Sequence, residues 1–206
     1  MPTLPLSQGH VALVDAVDFA DLAAFNWRFA RNAYAVRYTT IDGVRKTVFL
    51  QREIMQRMLG GPIPPGLQVD HINRDRLDNC RTNLRLATRS QNQANKAPGQ
   101  VNNTSGYKGV TAQGNAWEAR IKVNREGIYL GRYPDPVTAA LVYDAASLLF
   151  NASFAGLNFP DVPPSAEIVE RLLLVLHRRP ERIAALERAG RWHPEAVAAF
   201  GVEVPI

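Results

Sequence analysis

One polar stretch, residues 67–96, constrains the fold and the chemistry of this chain more than any other. It places Asp70 and His71 side by side and follows them with Asn79, Asn83 and Asn92. Buried side chains of these types each need hydrogen-bond partners, so such a cluster is costly in an ordinary hydrophobic core. The cluster is better explained as a site that holds a metal ion and activates water.

Apolar segments on both sides of this cluster predict its local structure. Residues 67–69 and 84–87 alternate in the manner of two short strands. The residues after them predict the end of a strand, a helix cap at Thr88 or Ser90, and a polar helix. The expected order is therefore strand, loop, strand, helix, with the Asp-His pair on the first strand and the last asparagine on the helix.

This stretch resembles the HNH endonucleases, whose site is a small ββα fold around one divalent metal ion. It is most similar to the variant of phage and intron homing endonucleases in which asparagine replaces the last histidine. Asp70 and His71 match the opening pair, Asn83 the middle asparagine and Asn92 the last metal ligand, while Asn79 fits the asparagine that braces the loop. The resemblance implies that Asp70 and Asn92 bind the metal, that His71 activates water, and that Asn83 holds the loop that orients His71.

The residue types suit this chemistry independently of the resemblance. Carboxylate and amide oxygens are hard ligands, which favours one Mg²⁺ or Mn²⁺ ion per site over zinc. The ion would stabilise charge on the scissile phosphate while a neutral imidazole accepts a proton from water. A polar surface loop with a hydrogen-bonded histidine is the alternative, which an isolated Asp-His pair would favour. The full spacing favours the metal site.

The charge distribution indicates a nucleic-acid partner. The chain has 206 residues and a formal net charge of +5. About 18 of its 24 Lys and Arg residues, but only about 7 of its 19 Asp and Glu residues, lie between Arg28 and Arg132. A basic block of this kind predicts double-stranded DNA as the partner.

Five arginines belong to the segment that carries the proposed site. Charge runs usually serve only solubility, but arginines beside a phosphate-cleaving site favour contact with the DNA backbone. The predicted phosphate contacts are Arg74, Arg76, Arg81, Arg85 and Arg89.

A single cysteine, Cys80, excludes an internal disulfide framework and a cysteine-based structural zinc site. We expect it to be a small filler without a disulfide partner. The first nine residues show no signal-peptide pattern, and no apolar run is expected to approach the length of a membrane span. The sequence therefore predicts an intracellular, cytoplasmic protein of phage or bacterial type with no membrane partner.

Residues 1–62 are expected to form a strand-rich preface packed on the nuclease module. Their pattern predicts, in chain order, a short strand at 10–14, a helix at 18–25 capped by Asp18, a hairpin turn at Asp42 and Gly43, and an amphipathic helix at 51–59. Arg28, Arg31 and Arg37 fall on the expected strands before the hairpin turn. Two roles fit these arginines, namely phosphate contact and solvation of a strand face.

A polar segment with Pro and Gly, residues 97–105, predicts a linker to a new domain. Residues 106–160 then show three strand patterns, a helix and an apolar closing segment. The expected turns are at 114–115 and 125–127, and Asp135 is expected to cap the helix, with Pro136 at its first position.

This second domain resembles the apetala-type, or ethylene-response-factor-like (ERF-type), DNA-binding domain. The matching residues are Tyr107-Lys108-Gly109-Val110, Trp117 with Ala119 and Ile121, Tyr129-Leu130-Gly131, Ala139-Ala140, Tyr143-Asp144-Ala145-Ala146 and Leu157-Asn158-Phe159. The resemblance implies a three-stranded sheet laid into the major groove. Its candidate DNA contacts are Lys108, Trp117, Arg120, Lys122, Tyr129 and Arg132.

Two departures from the plant pattern bear on specificity. Plant members carry tryptophan where Tyr129 stands and glutamate where Arg120 stands, so no base preference is carried over. A small α/β domain whose basic strand residues only face solvent is the alternative to DNA binding.

Residues 161–206 are expected to be helical. Ser165 is expected to cap a helix with an apolar stripe that Pro180 stops, a second helix to end at Gly190, and a third to cover 194–200. The stripe fits packing on the sheet, dimerisation or binding of another protein, and packing is favoured.

The sequence thus predicts an α+β chain with a ββα-metal nuclease module at 63–96. Around it lie the strand-rich preface at 1–62, the linker at 97–105, the sheet-plus-helix DNA-binding domain at 106–160 and a helical tail at 161–206. The expected function is a metal-dependent homing-type endonuclease that hydrolyses phosphodiester bonds in double-stranded DNA as a monomer or homodimer, with the sheet domain placing the cut.

Two other functions are weighed against this one. A transcription-factor-like DNA-binding regulator with an inactive nuclease module is the first, and the intact set of Asp70, His71, Asn83 and Asn92 argues against it. An RNA-directed or structure-specific nuclease is the second, and the sequence barely distinguishes it from a DNA endonuclease.

Overall fold

The chain folds as two units, Met1–Asn92 and Gln93–Ile206. The structure is a computed structural model that describes residues 1–96 and 103–198. Most of the predicted linker at 97–105, and the end of the third predicted C-terminal helix at 194–200, lie outside the described residues.

The first unit combines short antiparallel strands with three helices. Its elements are β1 (Thr3–Pro5), β2 (Val11–Leu13), α1 (Ala16–Leu22), β3 (Arg28–Phe29), β4 (Ala35–Ile41), β5 (Val44–Phe49), α2 (Leu50–Leu59), β6 (Leu67–His71), β7 (Leu84–Thr88) and α3 (Arg89–Ala94), whose last two residues are assigned to the second unit. β1 pairs with β2, β3–β4–β5 form a three-stranded sheet, and β6 pairs with β7.

One hydrophobic core joins the N-terminal strands to the strands of the predicted nuclease module. Leu4 and Val14, near β1 and β2, are fully buried in it with Leu50 and Ile54 of α2, and Leu84 of β7 belongs to the same cluster. The predicted hairpin turn is confirmed, because Asp42 and Gly43 both have positive φ (53° and 74°) between β4 and β5. That is the conformation of a two-residue turn matched to strand twist.

The prediction for α1 is wrong in its bounds and its cap. The helix covers Ala16–Leu22, with Asp15 at the N-cap position, rather than 18–25 with Asp18 as the cap. Asp18 lies inside the helix, is 1% exposed, and accepts hydrogen bonds from the Arg81 guanidinium at 2.8 and 2.9 Å. The Asp18 carboxylate, which the sequence suggested as a helix cap, therefore forms an ion pair with Arg81. Local sequence does not reveal this pair, because the two residues are distant in the chain.

The second unit is a three-stranded antiparallel sheet covered by helices. Its elements are β8 (Val110–Gln113), β9 (Ala116–Val123), β10 (Glu126–Tyr133), α4 (Pro136–Asn151), α5 (Ala166–Leu176), α6 (Pro180–Arg188) and α7 (Glu195–Ala198). β9 is the central strand. The predicted caps are confirmed, since Asp135 Oδ1 accepts from the Thr138 amide at 2.8 Å and Ser165 Oγ accepts from the Ile168 amide at 3.4 Å.

The turn between β9 and β10 lies earlier than predicted. Asn124 and Arg125 occupy it with positive φ (50° and 73°), and Glu126 and Gly127 already belong to β10. Asparagine tolerates this conformation because of its short polar side chain. The predicted turn at 125–127 was placed too late in the chain, because Gly127 is a typical turn residue but lies in β10.

The apolar stripe of α5 packs on the sheet domain, as favoured from the sequence. Ile168, Val169, Leu172 and Leu176 join the core that also holds residues of α4 and the sheet, such as Phe150. The helical tail and the ERF-like segment therefore share one hydrophobic core.

The expectation that no apolar run approaches the length of a membrane span is wrong for residues 136–154. By length and composition, this segment could span a membrane. Most of it is buried against the sheet and α5, as expected for the central helix of a globular domain.

A buried carboxylate on α4 anchors the closing segment of the second unit. Asp144 is 1% exposed and accepts hydrogen bonds at 2.8 Å from the backbone amides of Asn158 and Phe159. Burial raises the pKa of Asp144 above its ordinary value, against the lowering effect of those hydrogen bonds. The Asn158 side chain in turn accepts from the Lys108 amide at 2.7 Å, which connects α4 to the start of the sheet.

We expect Asp144→Ala to lower the free energy of unfolding by about 2–4 kcal/mol, because two partly buried backbone amides lose the buried carboxylate that accepts their hydrogen bonds. Chemical denaturation of the full chain measures the change. Glu167→Ala is the matched control, since its exposed pair with Arg171 predicts a change below about 0.5 kcal/mol. An equally small effect for Asp144→Ala would contradict the anchoring role.

Candidate active site

The predicted order strand, loop, strand, helix is confirmed around the proposed site. β6 and β7 pair antiparallel, with Asp70 opposite Arg85 and His71 opposite Leu84. The loop between them runs from residue 72 to residue 83, and α3 follows β7 directly.

A reciprocal cap fixes the start of α3. Thr88 Oγ1 accepts from the Gln91 amide at 3.3 Å, and Gln91 Oε1 accepts from the Thr88 amide at 2.8 Å. This pair is a capping box, and it decides between the two caps that the sequence allowed in favour of Thr88. It also sets where Asn92 stands relative to the two strands.

Asn83 ties the two ends of the loop together. Its Oδ1 accepts from the Asn73 amide at 3.0 Å, and its Nδ2 donates to the Asp78 carbonyl at 2.7 Å and to Asn73 Oδ1 at 2.9 Å. The Ile72 amide donates to the Asn83 carbonyl at 2.9 Å, directly after His71. These contacts suit the loop-holding role that the resemblance implies for Asn83.

His71 is 5% exposed and contacts the fully buried Asn79. Its Nε2 lies 3.3 Å from Asn79 Oδ1, and Asn79 Nδ2 donates to the Arg76 carbonyl at 3.3 Å. Because the amide nitrogen faces a carbonyl, the amide oxygen faces the ring, and Nε2 must carry the proton. The neutral ring then has its lone pair on Nδ1.

The surroundings of His71 keep it neutral near pH 7. Burial lowers its pKa below the ordinary 6.5 and outweighs the hydrogen bond to Asn79 and the charge of Asp70, which raise it. A neutral imidazole is the form that accepts a proton.

Asp70 and Asn92 lie on one side of β6. Asp70 Oδ2 accepts from Arg85 Nε at 2.9 Å and Nη2 at 2.8 Å. Asn92 Nδ2 donates to Gln68 Oε1 at 2.8 Å, and Gln68 is two positions before Asp70 on the strand. Side chains two positions apart on a strand share a face, so Asn92 lies on the face of Asp70.

The donor set suits a hard divalent ion. In the described part of the chain, no group of three or more His, Cys, Asp and Glu side chains is arranged to hold a metal. The proposed ligands are instead one carboxylate, Asp70, and one amide, Asn92. Mg²⁺ is commonly held by one or two carboxylates with waters and substrate phosphates completing its shell, so this set fits Mg²⁺ or Mn²⁺.

Three of the five predicted phosphate contacts near the site have partners within the protein. Arg81 pairs with Asp18, Arg85 pairs with Asp70, and Arg76 Nη1 donates to the Asn32 carbonyl at 2.7 Å. Arg74 is half-buried and Arg89 is exposed. DNA contact by these five residues stays a prediction.

The exposed face of the sheet in the second unit gathers most of the predicted ERF-type contacts. Arg120, Lys122, Tyr129 and Arg132 are exposed on β9 and β10, with Tyr129 opposite Arg120. The Arg120 guanidinium lies 5.7 Å from the Tyr129 ring centre.

Two predicted contacts stand apart from this exposed face. Trp117 alternates with Arg120 along β9, on the side of buried Ala119, and packs against the core. The Lys108 ammonium donates to the backbone carbonyls of Ala94 and Lys96.

The sequence did not identify four residues that support the candidate site, because their contacts form only in the folded chain. They are Gln68, Asn73, Asp78 and Asp18.

Cys80 is buried, as predicted, and its thiol pKa is raised to about 12, chiefly by burial and then by the hydrogen bond to Asp78. We expect the native thiol to react with iodoacetamide at pH 8 at least about a hundredfold more slowly than in the unfolded chain, because the thiolate is the reactive form. Mass spectrometry of native and guanidinium-unfolded protein measures this. Native and unfolded rates within tenfold of each other would show that the thiol is accessible and ionised.

Comparisons with known proteins agree with both resemblances. Residues 48–94 match the family model described as HNH endonuclease. An uncharacterized HNH endonuclease of Acanthamoeba polyphaga mimivirus is 27% identical over 151 residues, which cover 73% of this chain and 76% of that protein.

The chain also has relatives among plant proteins. An AP2/ERF and B3 domain-containing protein of Oryza sativa is 36% identical over 86 residues, or 41% of this chain and 23% of that protein. An ethylene-responsive transcription factor of Arabidopsis thaliana is 39% identical over 71 residues, or 33% of this chain and 36% of that protein. The chain thus spans about a quarter of the length of the first of these relatives and about a third of the length of the second. Together the matches show that this chain has a segment, residues 48–94, that is similar to the HNH endonuclease family, and that it also has similarity to proteins named for AP2/ERF domains.

Proposed function

We propose that this chain is a metal-dependent HNH endonuclease of the homing type that hydrolyses phosphodiester bonds in double-stranded DNA. The observation that carries the proposal is the buried His71, whose Nε2 lies 3.3 Å from Asn79 Oδ1 and which stands next to Asp70 in the segment that matches the HNH family model. The relative named as an HNH endonuclease supports the nuclease class.

His71 acts as the general base. Its Nε2 proton is donated to Asn79, so Nδ1 takes a proton from a water molecule. The oxygen of that water attacks phosphorus, and the bond from phosphorus to the departing sugar oxygen breaks. The lowered pKa of His71 keeps the ring unprotonated at neutral pH, which is the state that the step needs.

Asp70 and Asn92 would hold one Mg²⁺ or Mn²⁺ ion through their oxygens. Such an ion, when bound, supplies positive charge that stabilises the phosphate and the departing oxygen. Arg85 fixes the Asp70 carboxylate, and Gln68 fixes the Asn92 amide, because it accepts from Nδ2 and leaves Oδ1 as the ligand atom.

The sheet of the second unit places the cut by binding DNA. Its exposed face carries Arg120, Lys122, Tyr129 and Arg132, which supply cationic donors and an aromatic ring. The similarity to plant proteins named for AP2/ERF domains supports this role. Glu118 pairs with Arg120, so that arginine is held by a carboxylate as well.

The cellular setting and stoichiometry belong to the same proposal. The protein acts inside the cell, where it has access to DNA. One site per chain nicks as a monomer, and a homodimer would make a double-strand break.

We expect His71→Ala to slow nicking of a supercoiled plasmid by about 10²–10⁴-fold in Mg²⁺, because the general base is lost. Duplex affinity should stay nearly unchanged, since the ring is buried and does not dock DNA. His177→Ala, which removes an exposed histidine of the second unit, is the matched control.

Gel assays of nicking and of binding on the same preparations separate the outcomes. Nicking by His71→Ala at the wild-type rate would remove His71 from the chemistry. A wild-type chain that binds duplex DNA but cuts none in Mg²⁺ or Mn²⁺ would instead favour the regulator with an inactive nuclease module.

A further inference from the structure

The hairpin formed by β4 and β5 has one face that no other element of the first unit covers at its far end. Residues paired across antiparallel strands point to the same side. Tyr38 pairs with Thr47, and Thr40 pairs with Arg45. Arg28 of β3 pairs with Val36, which lies two positions before Tyr38 on β4 and therefore on the same side. We name the exposed residues of this side the open face. They are Arg28, Tyr38, Thr40, Arg45 and Thr47.

The chemistry of the open face is uniform. Each of its five side chains carries a hydrogen-bond donor, two are permanently cationic, and none is a carboxylate. Two cations without a carboxylate among them complement a polyanion better than a basic partner.

The Arg45 guanidinium stacks on an aromatic ring of the same face. It lies 3.8 Å from the centre of the Tyr38 ring, and Tyr38 is 45% exposed. A guanidinium stacked on an aromatic ring keeps its planar fork of donors in one orientation, so less side-chain entropy is lost when it binds an anion.

The opposite side of the hairpin is anchored to the protein. Arg37 pairs with Glu53 of α2 at 3.0 Å, and its guanidinium lies 4.2 Å from the Phe25 ring centre. This cation is therefore neutralised and engaged within the fold. Lys46, next to Arg45 on β5, points to this opposite side and away from the open face.

The base of the hairpin lies at the candidate active site. The ring of Tyr34, just before β4, is 6.1 Å from the His71 ring and 5.8 Å from the Phe49 ring at the end of β5. From Tyr34 to Ile41 the strand rises by about 24 Å at roughly 3.4 Å per residue. At the same rise per base pair, the open face reaches about seven base pairs along a duplex.

We propose that the open face binds the phosphate backbone of duplex DNA on one flank of the cleavage point. This inference rests on the proposed function, since it concerns the same substrate. It assigns to Arg28 and Arg45 a role in holding DNA, whereas Arg37 serves the fold.

The test compares two double variants of the full chain that remove the same charge. Arg28→Ala with Arg45→Ala takes two cations from the open face, and Lys46→Ala with Arg52→Ala takes two exposed cations from elsewhere in the unit. Duplex affinity is measured at several salt concentrations, and hydroxyl-radical footprints map the protected backbone. Circular dichroism checks that both variants are folded.

The open-face variant should lower the slope of log affinity against log salt by about 1.8, which corresponds to two lost phosphate contacts. Its footprint should lose protection about two to seven base pairs from the cut on one side only, since Arg28 pairs two residues and Arg45 six residues beyond Tyr34. The control variant should keep the wild-type footprint and most of the slope.

The outcomes separate this inference from the proposed function. If the wild type binds and nicks DNA but both variants lose slope equally, or the open-face variant keeps the full footprint, the open-face role is overturned and the nuclease proposal stands. If the wild type neither binds nor nicks any duplex, both are overturned. An open-face variant that loses flank protection, beside an intact control, supports the inference.

Discussion

Asn79 connects the N-terminal strands to the candidate active site. Its backbone amide donates to the Leu13 carbonyl of β2 at 2.9 Å, and its side chain bridges the Arg76 carbonyl and His71. The Leu13 amide donates to the Leu77 carbonyl at 2.8 Å in return. The strands before the HNH-like segment thus hold the residue that contacts Nε2 of His71, the proposed base.

Charge in this chain serves the fold as well as the substrate. The nearly inaccessible Asp18 would be costly without a partner, because a buried carboxylate that is neither paired nor hydrogen-bonded loses its hydration without compensation. Arg81 fills that need, and its backbone amide also donates to Asp15 at 2.6 Å. A count of basic residues therefore overstates the surface available to DNA, whereas exposed cations such as Arg45 remain for it.

Local signals in the sequence predicted local structure well. The Asp42 and Gly43 turn, the helix caps at Asp135 and Ser165, and the strand, loop, strand, helix order around Asp70 all follow from short-range rules and are observed. Spacing also identified Asn83, whose contacts lie within its own loop. The family resemblances were confirmed for the same reason, since both rest on motifs of contiguous residues.

Contacts between distant residues could not be predicted in this way. Asp18 and Arg81 are 63 positions apart, so the sequence offered Asp18 only as a cap and Arg81 only as a phosphate contact. Gln68 carries no motif, and its contact with Asn92 appears only when α3 folds back beside β6. The roles of Asp70, His71, Asn83 and Asn92 are proposals that geometry supports and experiment must decide.

Nitrogen-15 NMR of the full chain with labelled histidine tests the central claim most directly, because it reports which ring nitrogen of His71 carries the proton. At pH 7 we predict a neutral His71 ring with the proton on Nε2, and loss of that fixed tautomer in Asn79→Ala. A His71 ring that is protonated on Nδ1, or fully charged at pH 7, would contradict the claim.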